Sequence, residues 1–205
     1  MNMFRFSGIL LSFANLLIFS ITYNLHAADN NNRSSILIER TLGSNSAPNE
    51  LVEYASMSCP HCAKFHNEEM EKIVKEYVNT GKVKYIFRDF PLDRAAMLGS
   101  MVAQCQNEER YFPVLNALFR QQEKWIFSED ITDSIHKILK QYGITFNEIE
   151  DCLKETDENK NRWEKILETR LKGQQMGVDA TPMFFVNGKK VEGKFNSETL
   201  KNLIE

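Results

Sequence analysis

The chain has 205 residues, with 25 Lys and Arg against 28 Asp and Glu and a formal net charge of −3. Basic residues such as Lys72, Lys75 and Lys189-Lys190 are scattered among acids, so nothing in the charge pattern argues for nucleic acid or an anionic membrane surface as a partner. The length suffices for one domain with a proper core, or for a small domain carrying an insertion, and no block repeats at a fixed period.

Residues 1–28 do not read as part of the fold. Arg5 and the amino terminus supply positive charge, Ser7 to Ile21 form an apolar run, and Leu25-His26-Ala27-Ala28 closes it with small residues. This is the pattern of a secretory signal peptide, followed by a flexible polar leader over 29–34. An uncleaved anchor is the alternative, because Leu25 stands at the third position before a cut after Ala27. Either reading places the remainder outside the cytosol. All four cysteines, Cys59, Cys62, Cys105 and Cys152, lie in that remainder. An even count in an oxidising compartment predicts two disulfides. Adjacency in a turn favours Cys59–Cys62, which leaves Cys105–Cys152 as a structural staple, worth about 4 kcal/mol in the chain-entropy model. Two buried, unpaired thiols at 105 and 152 are the alternative.

In chain order, Ser35 to Glu39 is a first strand and Gly43 to Asn49, with Pro48, a turn-rich connection. Leu51 to Ser56 is a short buried strand that runs through Cys59-Pro60-His61-Cys62 into an amphipathic helix over Ala63 to Val78, where Phe65, Met70, Ile73, Val74 and Tyr77 recur at helical spacing. Lys82 to Arg88 alternates and is rich in β-formers, a third strand ending at Asp89-Phe90-Pro91. Strand, helix and strand in this order predict a right-handed βαβ unit with parallel strands.

From Leu92 the pattern is helical. One helix covers Ala95 to Gln106 and a second Tyr111 to Trp125, starting near Pro113. A third is opened by Ser128-Glu129-Asp130 and stopped by Gly143, and a short one carrying Cys152 follows a Thr145/Glu148 capping box. A long helix then runs from Asp157 to Met176. Five helices cannot all cover a small sheet, so some form a separate lobe. β-structure returns with a strand over Met183 to Val186, an Asn187-Gly188 hairpin and a strand over Lys189 to Val191, before a last helix from Asn196 to Ile204.

The chemistry is concentrated at Cys59-Pro60-His61-Cys62. Two thiols three residues apart, where a strand turns into a helix N-terminus, can close a small reversible disulfide. The first sulfur then meets backbone N–H groups without intrahelical acceptors and the positive end of the helix dipole, which favour thiolate over thiol. Pro60 fits the first helical turn, where its missing N–H costs nothing.

This motif, Thr181-Pro182 ahead of a hydrophobic strand, the Asn187-Gly188 hairpin and the helical block between them together resemble the DsbA family of thiol:disulfide oxidoreductases, over residues from about 35 to 205. The resemblance implies an α/β chain with a thioredoxin fold and an inserted all-helical lobe: 35–91 and 157–205 would build the thioredoxin-like part and 92–156 the insertion. It implies that Cys59 is the attacked sulfur, that Cys62 is the buried partner that closes or reopens the bridge, and that the His61 imidazole stabilises the Cys59 thiolate. Pro182 would be a cis-proline facing the disulfide, with the Thr181 backbone free to pair with an extended substrate and its hydroxyl able to tune a cysteine sulfur. Glu53, six residues before Cys59, matches a buried acid of the family that could relay protons to Cys62, with Lys84 or Arg88 as its partner; an ordinary solvent-facing strand glutamate is the alternative.

The implied activity is oxidation of reduced exported proteins in the periplasm, with reoxidation by a DsbB-type membrane partner and no cofactor. Many DsbA proteins carry an aliphatic residue at the position of Thr181, and Thr is familiar from disulfide isomerases and from several DsbA-like branches, so an isomerase or reductant-fed thiol protein is the second reading. A non-enzymatic chaperone or metal carrier is the third. Residues 29–50 look too short for the dimerisation module that isomerases use, which favours a monomeric oxidase. His66 could join Cys59 and Cys62 around a metal, but no second CxxC or paired His motif follows, so it reads as a surface or rim residue. His136 has no evident partner, Trp125 and Trp163 read as fillers of the helical lobe, and Met57 and Met97 to Met101 as core or as an apolar surface near the active site.

Overall fold

The computed structural model describes residues 39–205. The expected signal peptide, the leader and nearly all of the expected strand over Ser35 to Glu39 lie outside the described residues. Strands β1 (Arg40–Leu42), β2 (Asn49–Ala55), β3 (Val83–Asp89), β4 (Met183–Val186) and β5 (Lys189–Lys190) form one sheet in the order β1-β3-β2-β4-β5. β2 and β3 are parallel, with Glu53 opposite Phe87, as the strand-helix-strand order predicts. The other three pairings are antiparallel. Arg40–Leu42 was not expected as a strand. It is held at the edge because the Arg40 guanidinium donates to the Gln104 side chain at 2.8 Å and to the Gln104 and Gln106 carbonyls at 2.8 and 3.1 Å.

Strand alternation sorts the two faces. Leu51, Ala55, Val83, Tyr85, Phe87, Phe184 and Val186 join the larger hydrophobic cluster, whereas Val52, Tyr54, Ile86 and Phe185 join a second one with Phe90 and Val178. The helices are α1 (Pro60–Glu68), α2 (Met70–Ile73), α3 (Arg94–Gln104), α4 (Glu108–Arg120), α5 (Ile131–Leu139), α6 (Phe146–Leu153), α7 (Asp157–Gln175) and α8 (Ser197–Ile204). The larger cluster runs unbroken from the sheet through Phe65 and Ile73 into Tyr111, Leu115, Phe119, Trp125 and Ile135, so sheet and helical segment share a core. Completely burying a side chain such as Ile73 contributes about 1.5–3 kcal/mol.

The single helix expected over Ala63 to Val78 is interrupted. At Glu69 φ widens to −114° while ψ stays helical at −34°, and its carboxylate accepts the Ser197 N–H at 3.0 Å at the start of α8; after α2 the chain closes in a π-turn over Val74–Val78. The helix expected to start near Pro113 begins instead at Glu108, because the Asn107 side chain accepts the Arg110 N–H at 3.0 Å and caps it. It ends at Arg120 and is followed by a 3₁₀ turn over Gln122–Lys124. The Thr145/Glu148 capping box is present in both directions, and Asn187 and Gly188 take the positive φ values (51° and 77°) of the hairpin turn.

One close approach ties the helical segment to the chain beneath the CxxC motif. A Cβ on Gly99 of α3 would lie 2.7 Å from the Trp125 ring and 2.8 Å from Met57 Sδ, and both side chains are completely buried. Gly99→Ala is therefore expected to destabilise the chain by about 1–2 kcal/mol net, overpacking outweighing the better helix propensity of Ala. Urea unfolding checks this, and an unchanged midpoint would show that the contact has room to give.

Candidate active site

β2 delivers the chain to a tight turn in which the Cys59 N–H donates to the Ser56 carbonyl at 3.1 Å, and Cys59 becomes the extended N-cap of α1 (φ −80°, ψ 119°) with Pro60 as first helical residue. The turn is fastened from the helical segment. Gln122, itself buried, donates through Nε2 to the Met57 carbonyl at 2.7 Å and the Cys59 carbonyl at 3.0 Å. Sequence reasoning missed this residue, because it sits where the helix was expected to continue.

Both cysteines of the CxxC motif are free thiols and buried, Cys59 with 6% of its surface exposed and Cys62 with none. As a thiol, Cys59 donates to the Thr181 carbonyl at 3.2 Å. As a thiolate it becomes an acceptor, and its pKa falls from 9.0 to about 5. The hydrogen bond from Cys62 is the main cause; burial opposes it, and the Thr181 side chain and the backbone N–H groups of Cys62 and His61 add to it. The Thr181 hydroxyl is buried with no other hydrogen-bond partner, so it is available to the charged sulfur. His61 acts here through its amide. Its ring is exposed and faces a groove, so the expected imidazole contact is not among the interactions that lower Cys59. Cys62 moves the other way: burial pushes its thiol well up, and the bond to Cys59 and the charge of Glu53 push it further.

The Thr181-Pro182 bond is cis, and it brings Thr181 against Cys59. Beside it lies a groove of about 470 Å³ whose apolar wall includes Phe65, Pro182, Phe184, Val191 and Phe195.

Glu53 is completely buried, and its Oε2 accepts the Tyr85 hydroxyl at 2.6 Å and lies 3.3 Å from His66 Nε2. Neither Lys84 nor Arg88 is its partner. Tyr85 and Phe87 share its face of the sheet, whereas Arg88 turns to the other face, where it bonds the Tyr54 hydroxyl and Glu39. His66 is not a rim residue. Its side chain is 2% exposed, stacked on Phe119 at 4.1 Å, with Nδ1 3.3 Å from Asn116 Oδ1.

A family model described as thioredoxin matches residues 37–205. The chain belongs to the thioredoxin family. Within the family, it is 29% identical to the crystal structure of alpha-DsbA1 from Wolbachia pipientis, with a TM-score of 0.71 over 81% of this chain and 88% of that one. It is 28% identical over 170 residues to a Rickettsia conorii protein provisionally named a protein-disulfide oxidoreductase, covering 82% of this chain and 59% of the relative. It is 26% identical to disulfide bond formation protein D of Bacillus subtilis, over 83% of this chain and 78% of that protein. The chain thus spans little more than half the length of the rickettsial relatives it matches. The thioredoxin fold and the DsbA resemblance read from the sequence both stand.

In this thioredoxin-family chain the second cysteine pair is bonded: Cys105 at the end of α3 meets Cys152 in α6 with an S–S distance of 2.02 Å. Met57, Met97 and Met101 are core residues, the last two against Ile166, and do not form an exposed surface. Trp125 is completely buried and donates to the Leu118 carbonyl at 3.0 Å, whereas Trp163 is 38% exposed and His136 packs edge-on against Phe146. Among the described residues no three His, Cys, Asp or Glu side chains gather as a metal site, and no helix is long and apolar enough to cross a membrane.

A lowered cysteine pKa favours the reduced, folded form at pH values above about 5, and the gain grows until the unfolded thiol ionises near 9.0. The stability of the reduced protein relative to the oxidised one is therefore expected to rise with pH across that interval and to lose this contribution as pH falls through about 5. Thr181→Val, which keeps the shape and removes the hydroxyl, is expected to raise the Cys59 pKa by about 1–2 units, the worth of one hydrogen bond to a charged group. Denaturation of both redox forms over pH checks the first expectation and thiolate titration the second; a flat difference, or an unmoved thiol in the variant, would contradict them.

Proposed function

We propose that this chain is an exported thiol:disulfide oxidoreductase that introduces disulfides into reduced periplasmic proteins through Cys59–Cys62. The observation that carries this reading is the asymmetry of the pair: Cys59 prefers to be charged at neutrality and Cys62 does not. A substrate thiolate attacks Cys59 Sγ in the oxidised pair, a mixed disulfide forms, and the Cys59–Cys62 bond breaks with its electrons going to Cys62, which takes up a proton. A second substrate thiolate then attacks the substrate sulfur of the mixed disulfide, and Cys59 leaves as a thiolate. The substrate dithiol has lost two electrons and the protein pair has gained them. A leaving thiol of low pKa departs faster, and a stabilised reduced form makes the pair oxidising.

In this reading the Thr181 backbone at the cis bond offers a short pairing edge for an extended substrate, and the apolar groove beside Pro182 takes its side chains. Residues 1–28 serve as export signal, 29–34 as leader and 92–156 as the insertion, and the chain works as a monomer reoxidised by a DsbB-type membrane partner. The name of the Bacillus subtilis relative, disulfide bond formation protein D, supports the oxidative direction.

The order of attack is testable. Cys62→Ser whose Cys59 has first been converted to a mixed disulfide with thionitrobenzoate is expected to release that thiol and accumulate a mixed disulfide with a single-cysteine substrate, and Cys59→Ser to form none and to oxidise no dithiol, as read by mass spectrometry after acid quench. Trapping at position 62, or wild-type protein that rearranges scrambled disulfides without oxidising reduced ones, would contradict the oxidase reading and favour the isomerase.

A further inference from the structure

The mechanism leaves one demand unmet. Cys62 leaves the broken disulfide as a thiolate inside the protein, with none of its surface exposed and with Glu53 acting against its charge. A proton must reach it there.

We propose that His66 supplies that proton through Glu53, receiving it in turn from the solvent groove at Asn116. This rests on the oxidoreductase reading, since it concerns the fate of the sulfur released at Cys62. Glu53 Oε1 is buried with no hydrogen-bond partner, which leaves one carboxyl oxygen open, while Oε2 takes the Tyr85 hydroxyl and faces His66 Nε2. At the other end of the ring, Nδ1 faces Asn116 Oδ1. His66 Nε2 is itself buried with no hydrogen bond made, 3.3 Å from Oε2, so ring and carboxylate stand within reach of each other without being locked together. The short Nε2–Oε2 separation is the path along which the ring passes a proton to the carboxylate in this proposal. His66 and Asn116 both line a groove of about 550 Å³, through which the ring is recharged.

The neighbouring groups do not replace it. The Tyr85 phenol bonds Glu53 and the Tyr111 phenol feels its charge, and burial raises both well above the usual tyrosine range, so they stay protonated at working pH. Around the groove mouth Glu71, Lys75 and Arg120 stand among the lining residues. Imidazole is the side chain whose charge ordinarily changes between about pH 5 and 8, which suits a reversible proton carrier.

The step balances. An attacking thiolate bonds to Cys59 Sγ, the Cys59–Cys62 bond breaks, and its electron pair goes to Cys62. Cys62 takes a proton from Glu53, Glu53 takes one from His66 Nε2, and the ring regains one from water in the groove. No electrons pass through Glu53 or His66.

The test is the rate at which dithiothreitol breaks the Cys59–Cys62 disulfide in the whole chain, followed by stopped flow over pH for wild type, His66→Gln and His66→Phe. This reaction needs the proton at Cys62 whichever way the protein works in the cell. Gln keeps hydrogen-bonding groups towards Glu53 and Asn116 but cannot carry the charge, and Phe keeps the stack on Phe119. Both variants are expected to be about tenfold slower than wild type near pH 8, with the gap closing below about pH 6 where solution acid takes over. The Cys59 thiolate titration should not move. A loss of equal size at every pH, which packing damage would give, or no loss in either variant, overturns the relay. Wild-type protein that dithiothreitol reduces normally but that oxidises no substrate protein overturns the oxidase reading alone, and a pH-dependent loss in the variants then still supports the relay.

Discussion

When a disulfide is broken by a thiolate, one sulfur must leave with the electron pair, and the environments of the two sulfurs decide what that costs. In this chain the two environments are opposed within one helical turn. Cys59 sits at the N-cap of α1, where the Cys62 thiol, the Thr181 side chain and two backbone amides turn toward it and bring its pKa to about 5. Cys62 sits in the core, where burial and the charge of Glu53 push its thiol well up. The remaining structure can be understood as what holds these environments apart.

Three separate parts of the chain meet at Cys59. The sheet supplies the turn after β2, the cis Thr181-Pro182 bond brings a distant loop against the sulfur, and Gln122 reaches from the helical segment to grip the Met57 and Cys59 carbonyls. The helical segment is thus more than a cover. Its core is continuous with that of the sheet, Trp125 fills the space left by Gly99, and the Cys105–Cys152 bond joins α3 to α6. Beside that bond, Asp89 is buried but accepts from Ser100 and Gln104, while Arg40 grips Gln104 and Gln106, so the strand that ends at Asp89 is tied to the helix that ends at Cys105.

Local signals carried far in this sequence. Alternation marked β3, Asn187-Gly188 marked the hairpin, and Thr145 with Glu148 marked the start of α6, because each feature is decided by a few neighbouring residues. What escaped was set by distant contacts. Arg40–Leu42 has no apolar pattern and becomes a strand through the grip of its arginine on the end of α3. Glu69 interrupts a well-patterned helix to meet the N-terminus of α8. The partners of Glu53 could have been narrowed from sequence: parallel pairing puts Tyr85 on its face and Lys84 and Arg88 on the other, so a tyrosine, not a cation, was the available neighbour. Gln122 and the burial of His66 left no such mark, since each depends on how α4 and the turn after it lie against α1.

The proposed chemistry depends most directly on the charge preference of Cys59. Its thiolate can be followed directly by ultraviolet absorbance while reduced wild-type protein is titrated, with Cys62 present and both helical cysteines left bonded. A single thiolate is expected to appear with a midpoint at about 5, far below the ordinary 9.0. A sulfur that ionises only near 9.0 would mean that the amides and Thr181 do not stabilise its charge, and the proposed chemistry would lose its basis.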